Sequence, residues 1–291
     1  MEQVIQAVRL QLYRDNLDGA LELLGAAQAK HPDPRYETQI ARIGSWRAHL
    51  ASPGAYAAAY ERYYRATKCR PGWTLLERQF RTLLGWRTRK IVRRTATHPE
   101  FRLLERELLP LAPRAVLDAG CGEGRVTLAL AARHPALHVE GLEVTATNVA
   151  IARGLNRFPN ATFSQGLIEE AGARFPAGAF DAAYAFAVLE HVADVDVVVR
   201  CLLGLVRAGG RIAFEVPMTE LVATGALPDL EPRDGVAGHV RVFTAAELRE
   251  RFGRYPGFVL ERINGVWRAG RYPLTLAPVE FGSYFVAFTR P

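Results

Sequence analysis

From Met1 to about Leu109 the apolar positions recur at intervals of three and four with no convincing alternating stretch, and this spacing predicts helix throughout. Leu12, Ala20, Leu24 and Ala27 form one such stripe across two short helices, broken at Asp15 and Asn16 and closed by Pro32. A weaker echo, Ala55, Ala59 and Tyr63, follows the Ser52-Pro53-Gly54 break. After Pro110 the texture changes to short apolar runs separated by amphipathic helices, the pattern of βαβ units in a parallel sheet. Strands are expected at Ala115 to Leu117, Leu137 to Leu142, Ala161 to Phe163, Phe180 to Phe186 and Arg211 to Val216. Helices are expected around Arg125 to Arg133, Ala146 to Asn156 and Asp194 to Val206, and two further strands at Gly257 to Arg262 and Glu280 to Thr289. The expected fold is therefore α/β, a doubly wound seven-stranded sheet over residues 110–291, preceded by an all-helical region over residues 1–109.

Composition narrows the class. Hydrophobic residues make up 49% and charged residues 23% of 291, enough apolar material for a full core. No apolar run approaches the ~20 residues that a membrane-spanning helix needs. The first residues, MEQVIQAVRLQLYRDN, lack a basic segment followed by a long apolar core, which predicts a cytoplasmic protein. Cys69, Cys121 and Cys201 are too few and too irregularly spaced for a disulfide framework or a zinc site, so no metal is expected. The net charge of +7 is concentrated between Glu61 and Arg114, where twelve Arg and two Lys face five Glu. Such a stretch suits a solvated helical face, or attraction of an acidic substrate, a nucleic acid or an anionic membrane surface. Tyr56, Tyr60, Tyr63, Tyr64, Trp73, Phe80 and Trp86 also gather here, as packing surface or as a wall facing a substrate.

The most informative segment runs Ala115-Val116-Leu117-Asp118-Ala119-Gly120-Cys121-Gly122-Glu123-Gly124-Arg125. A strand enters a GxGxG turn and then a helix, so backbone can approach a ligand where any Cβ would obstruct it. A dinucleotide site wants a glycine where Arg125 stands, and Asp118 precedes the loop. The loop therefore favours a ligand with a cationic amine over one with a pyrophosphate. Glu143 closes the second strand roughly 20 residues further on, where an acid can take ribose hydroxyls.

These residues resemble the seven-stranded, class I S-adenosylmethionine-dependent methyltransferase family, whose first motif reads like VLDxGCGxG. Phe180-Asp181-Ala182-Ala183-Tyr184 resembles the family's FDxVxx strand, and Leu189-Glu190-His191-Val192 its LEHV segment. Leu205 to Arg211 resembles RxLKPGG, which implies a turn before the fifth strand, with Ala208 in place of Pro, and His239 to Thr244 resembles HxRxFT. The resemblance covers Ala115 to about Phe288 and implies a mostly parallel sheet whose last strand is antiparallel. It implies S-adenosyl-L-methionine as cofactor, with Asp118 on the methionine amine through ordered water, Gly120, Cys121, Gly122 and Gly124 along the cofactor, and Glu143 on the ribose. Val144, Leu167 and Ile168 complete the set. Leu167 stands where the family commonly has an adenine-binding acid, so either Glu169 or backbone near Leu167 and Ile168 takes that role. The N-terminal stripe is also similar to a tetratricopeptide-type helical hairpin.

Methyl transfer is an in-line displacement, so alignment supplies most of the rate and a base serves only a weakly acidic acceptor. His191 and His239 are the candidate bases, each with a structural role as the alternative. Met218 to His239, rich in Gly and Pro, is a candidate mobile lid, and the helical region a candidate opposite wall. A hydroxyl or amine of a small molecule or glycan-type acceptor is the expected target. The rivals are an RNA methyltransferase that uses the basic stretch and an inactive methyltransferase-like docking protein. The [DN]PP[YFW] loop and Pro-Cys nucleophile of two DNA-modifying classes do not occur, which disfavours a nucleic-acid partner.

Overall fold

The structure, a computed structural model, describes residues 17–50, 53–68, 85–192, 194–218, 243–267 and 279–291, with positions 4, 7, 8 and 11. Leu12, the Asp15-Asn16 break, Trp73 and Phe80 fall outside the described residues, as does the candidate lid beyond Met218.

The N-terminal part is helical. Helix α1 (Leu17–Lys30) turns sharply into α2 (Pro34–Leu50), where the Asp33 N–H donates to Gln28 Oε1 at 2.8 Å and Pro34 opens the next helix. The two pack through buried Ala20, Leu24, Tyr36 and Ile43, a small core of its own. Helix α3 (Pro53–Lys68) follows, and then α4 (Trp86–Thr95) and α5 (Pro99–Leu108).

The sheet comprises β1 (Ala115–Ala119), β2 (His138–Glu143), β3 (Ala161–Gln165), β4 (Phe180–Phe186), β5 (Val206–Pro217), β6 (Val259–Trp267) and β7 (Val279–Thr289). Their order is β3-β2-β1-β4-β5-β7-β6. Pairings from β3 across to β5 are parallel, and β7 runs antiparallel between β5 and β6. The intervening helices are α6 (Arg125–Arg133), α7 (Ala146–Leu155), α8 (Val195–Leu205) and α9 (Ala245–Phe252). The order reverses between β1 and β4, which opens a crevice at their carboxyl ends, where ligands bind in such sheets.

Both faces of the sheet are covered, as parallel strands require. Along β1, Val116 faces one layer and Leu117 the other, so the strand's near-continuous apolar run serves two cores. The first core joins Leu117, Ala183, Phe214 and Phe288 to Val198 and Leu202 of α8 and Leu248 of α9. The second joins Val116, Val139 and Phe285 to Phe101 and Leu104 of α5, Leu128 of α6 and Val149 of α7. Helices α4 and α5, although N-terminal to the first strand, thus cover the sheet. Ion pairs fasten α5 further: Glu107 to Arg211 on β5, and Glu105 to Arg133 on α6 at 2.7 Å.

The fifth strand begins at Val206 rather than Arg211, because the segment expected as a turn is a bulged entry into it. Val206 pairs with Phe180, the register shifts before Ala182, and Gly209 takes φ 70° while its N–H donates to Arg290 O.

Phe101 is fully buried between α5 and the sheet. Phe101→Ala is expected to lower the unfolding free energy by about 3–5 kcal/mol through lost burial and a cavity, read from urea unfolding. A loss under ~1 kcal/mol would mean that α5 does not belong to the sandwich.

Candidate functional site

The loop after β1 is built from backbone that only glycine adopts easily. Gly120 and Gly122 lie at φ 79° and 53°, and the N–H groups of Gly120 and Cys121 both donate to Leu142 O, at 2.7 and 3.0 Å. This ties the loop to the end of β2. A Cβ on Gly120 would stand 2.4 Å from Val188 Cγ2, so the loop and the segment after β4 close on each other there. A Cβ on Gly122 would meet nothing within 4 Å, because that backbone borders open space.

That space is a cleft of about 680 Å³ including its mouth. Gly120, Gly122, Glu143, Val144, Leu167, Ile168 and His191 line it, which places most of the expected site residues together. Leu167 and Ile168 contribute beside Glu169, on the loop after β3, whose Gly166 N–H donates to Glu143 O at 3.0 Å. Asp118, Cys121 and Gly124 are not among the lining residues. Gly124 instead admits the Phe163 ring, whose Cε1 would lie 2.5 Å from an added Cβ. The Cys121 side chain packs towards Gly141 of β2, and burial pushes its thiol well up. His239 lies outside the described residues.

Glu143 organises the floor. Its Oε1 accepts from the Thr145 N–H at 3.0 Å and the Thr145 hydroxyl at 2.7 Å, and its Oε2 accepts from the Gly122 N–H at 3.0 Å. A carboxylate offers about four lone-pair positions, so the acceptor capacity left for a ligand hydroxyl sits chiefly on Oε2.

The other wall was harder to read from sequence. Ala187, just past β4, adopts φ 52° while its N–H donates to Glu215 O at 3.0 Å. A non-glycine residue in this region is a local strain of the kind found at ligand sites. Val188, His191 and Val192 follow on the same rim. Across the mouth stands α3, whose Tyr60 and Tyr64 also line the cleft. Tyr60 Oη lies 2.8 Å from His191 Nδ1 with the two rings edge to face, and His191 Nε2 lies 3.9 Å from Glu190 Oε1. Sequence spacing left Tyr60 and Tyr64 as either packing surface or a wall facing a substrate, since contacts across some 130 residues leave no local pattern.

Asp118 ends β1 with its carboxyl turned into the helical layer, where it accepts from the Thr127 hydroxyl at 2.5 Å. Burial pushes this carboxyl up to about 7 against the hydrogen bond from Thr127. The charged residues that line the cleft among those described are two carboxylates, Glu143 and Glu169. The field there welcomes a cation and repels a polyphosphate.

A profile of the methyltransferase domain family matches residues 90–261. The chain belongs to that family. The family is S-adenosylmethionine-dependent, and the cofactor fits this cleft: open backbone at Gly122, an acid with spare acceptor capacity at Glu143, and a negative lining for a sulfonium. Among relatives, trans-aconitate 2-methyltransferase of Methylobacterium radiotolerans is 37% identical over 42% of this chain and 44% of its own length. The ubiquinone biosynthesis O-methyltransferase of Aeromonas salmonicida is 28% identical over 61% of this chain and 77% of its own. The match thus spans less than half of the first of these relatives. The YcgJ protein of a Bacillus shares the methyltransferase fold, with a TM-score of 0.53 and 19% identity over 66% of this chain and 98% of that one.

The buried acid gives a pH test of this geometry. In the folded chain Asp118 keeps its proton up to about pH 7, whereas an unfolded aspartate releases it near ~3.9. Between those values the folded state holds a proton that the unfolded state has lost, so stability falls as pH rises and levels off above about 7. Asp118→Asn, without added cofactor, is expected to gain on the native chain over that window by at most roughly 4 kcal/mol, read from urea midpoints. Parallel curves would show that the carboxyl is solvated.

Proposed function

We propose that this chain transfers a methyl group from S-adenosylmethionine to a hydroxyl or amine of a small-molecule or glycan-type acceptor. The acid-lined cleft at the glycine loop carries the reading. S-adenosylmethionine bound there supplies a methyl group on a positively charged sulfur, an electrophile that needs alignment more than activation.

The residues divide the work. Glu143 Oε2 accepts from a ribose hydroxyl, while Val144, Leu167 and Ile168 give the adenine apolar walls. Base recognition then falls to Glu169 or to backbone beside Leu167, since a leucine side chain offers no acceptor. Asp118 acts from behind the loop, as a source of negative potential near the amino-acid end. His191 faces the cleft from the rim after β4, where an acceptor would meet the methyl. With Tyr60 Oη on Nδ1, Nε2 is the ring nitrogen that would take the acceptor's proton, and Glu190 nearby would stabilise the imidazolium. The cleft's roof of tyrosines limits access to a compact acceptor. Relatives named for methylating trans-aconitate and for O-methylation in ubiquinone biosynthesis support the small-molecule class.

A second reading, RNA as acceptor, draws on α4. Arg89, Lys90, Arg93 and Arg94 are exposed along it, beside Trp86 at 43% exposure. An affinity for RNA that falls steeply with salt would favour it. For either acceptor the reading places the protein in the cytoplasm; the free thiols of Cys121 and Cys201 suit a reducing setting, and no helix among the described residues is long and apolar enough to cross a membrane.

Glu143→Gln removes a charge-assisted acceptor worth about 1.5–3 kcal/mol, so titration calorimetry should show S-adenosylmethionine binding weakened on the order of 10–100-fold. Unaltered affinity would reject the assigned cleft. With labelled S-adenosylmethionine and a panel of small hydroxy and amino compounds, His191→Gln should slow transfer by roughly 100-fold or more wherever the native chain is active. Equal rates would leave His191 a structural role.

A further inference from the structure

Helix α3 reaches the cleft from the N-terminal part and touches both of its rims. On one side, Tyr60 Oη meets His191 Nδ1 at 2.8 Å in the segment after β4. On the other, the Glu61 carboxylate takes the start of α7: Oε2 accepts from the Thr147 N–H at 3.0 Å, and Oε1 accepts from the Thr147 hydroxyl. Tyr64, one turn on, is partly buried and bonded to Asn148 of α7. Its hydroxyl is pushed up to about 12 by burial and by the nearby Glu143 charge, and both residues line the cleft.

This cap on α7 replaces one that the local sequence has given away. Thr145 occupies the N-cap position, but its hydroxyl goes to Glu143 and makes no capping bond. The first turn of a helix carries N–H groups with no partner inside the helix, and an anion satisfies them best. Glu61 supplies that anion from 86 residues away in sequence. Burial alone would raise its carboxyl, but the bonds from Thr147 and Ala146 outweigh it and hold the group below its ordinary value.

We propose that α3 completes the cofactor site, and that Glu61 is the positioning residue that holds it there, with Tyr60 and Tyr64 facing the bound cofactor. The inference rests on the assignment of this cleft to S-adenosylmethionine. Glu61 does not touch the ligand. It acts by fixing the helix that presents both tyrosines, and so governs how readily the cofactor leaves.

The test uses the full chain and S-adenosylmethionine itself. Calorimetry gives the affinity, and displacement by S-adenosylhomocysteine in a stopped-flow instrument gives the dissociation rate. Glu61→Ala should weaken affinity about tenfold, with most of the change in dissociation, while Glu61→Gln, which keeps an acceptor for Thr147, should lie within about threefold of the native chain. Tyr64→Ala should weaken binding to a similar degree without Glu61 being altered, which covers the case of a poorly folded Glu61 variant. Native-like affinity in both Glu61→Ala and Tyr64→Ala would overturn the role of α3 and leave the cofactor assignment standing. Equal loss in Glu61→Ala and Glu61→Gln would remove the positioning role from the Thr147 bonds. Failure of the native chain to bind S-adenosylmethionine would instead bring down the cofactor assignment, and this inference with it.

Discussion

The buried carboxylate of Glu143 is the constraint around which the cleft is arranged. An anion at 7% exposure is tolerated only if donors surround it, and the donors here come from two directions. Gly122 supplies one from the loop after β1, and Thr145 supplies two from the entry to α7. Satisfying the charge therefore fixes the spacing between the first and second strands' loops. The same demand draws the Thr145 hydroxyl away from the helix it precedes, so α7 must find its cap elsewhere. Glu61 is what it finds, and α3 comes with it.

That chain of causes explains which parts were legible in the sequence. The strands and helices after Pro110 could be read because burial on both faces of a parallel sheet writes long apolar runs, and the helices write a 3.6-residue period. Gly120, Gly122 and Glu143 were legible for a similar reason: the turn needs positive φ, and the acid sits at a fixed distance along a βαβ unit. Gly124 shows the limit of that reading. Its motif position suggests a ligand, yet the Phe163 ring occupies the space a Cβ would fill, so the glycine serves helix-to-sheet packing. The start of β5 shows another limit, since a glycine-rich run reads as a turn whether or not the backbone also pairs, and here Gly209 and Gly210 pair with Arg290.

The wall across the cleft was foreseen only in outline, as a helical region with a row of tyrosines, because nothing local encodes which of its residues face the cleft. Tyr60 and Tyr64 repeat at helical spacing, and that pattern is the same whether a stripe meets a core or a ligand. Glu61 looks like any exposed helical acid beside Arg62 and Arg65. Its role lies in a contact with Thr147 that only the assembled structure brings together. The charge of the region misleads in the same way. The excess of arginine between Glu61 and Arg114 suggests a partner for the whole stretch, but Arg106 pairs with Glu107 and Glu261, and positive charge of this kind is partly spent on holding α5 to the sheet.

Asp118 bears on how the cleft treats charge. Its place near the end of β1 and the family resemblance suggest a hold on the methionine amine through ordered water, while its side chain bonds to Thr127. The two observations are compatible once the proton is considered. Burial keeps the carboxyl near the point where it holds or releases a proton at neutral pH, and Glu143 adds to that tendency. A cation arriving in front of the loop would favour the ionised form, because a nearby opposite charge lowers a carboxyl's pKa. A dinucleotide's phosphates would push the same equilibrium the other way.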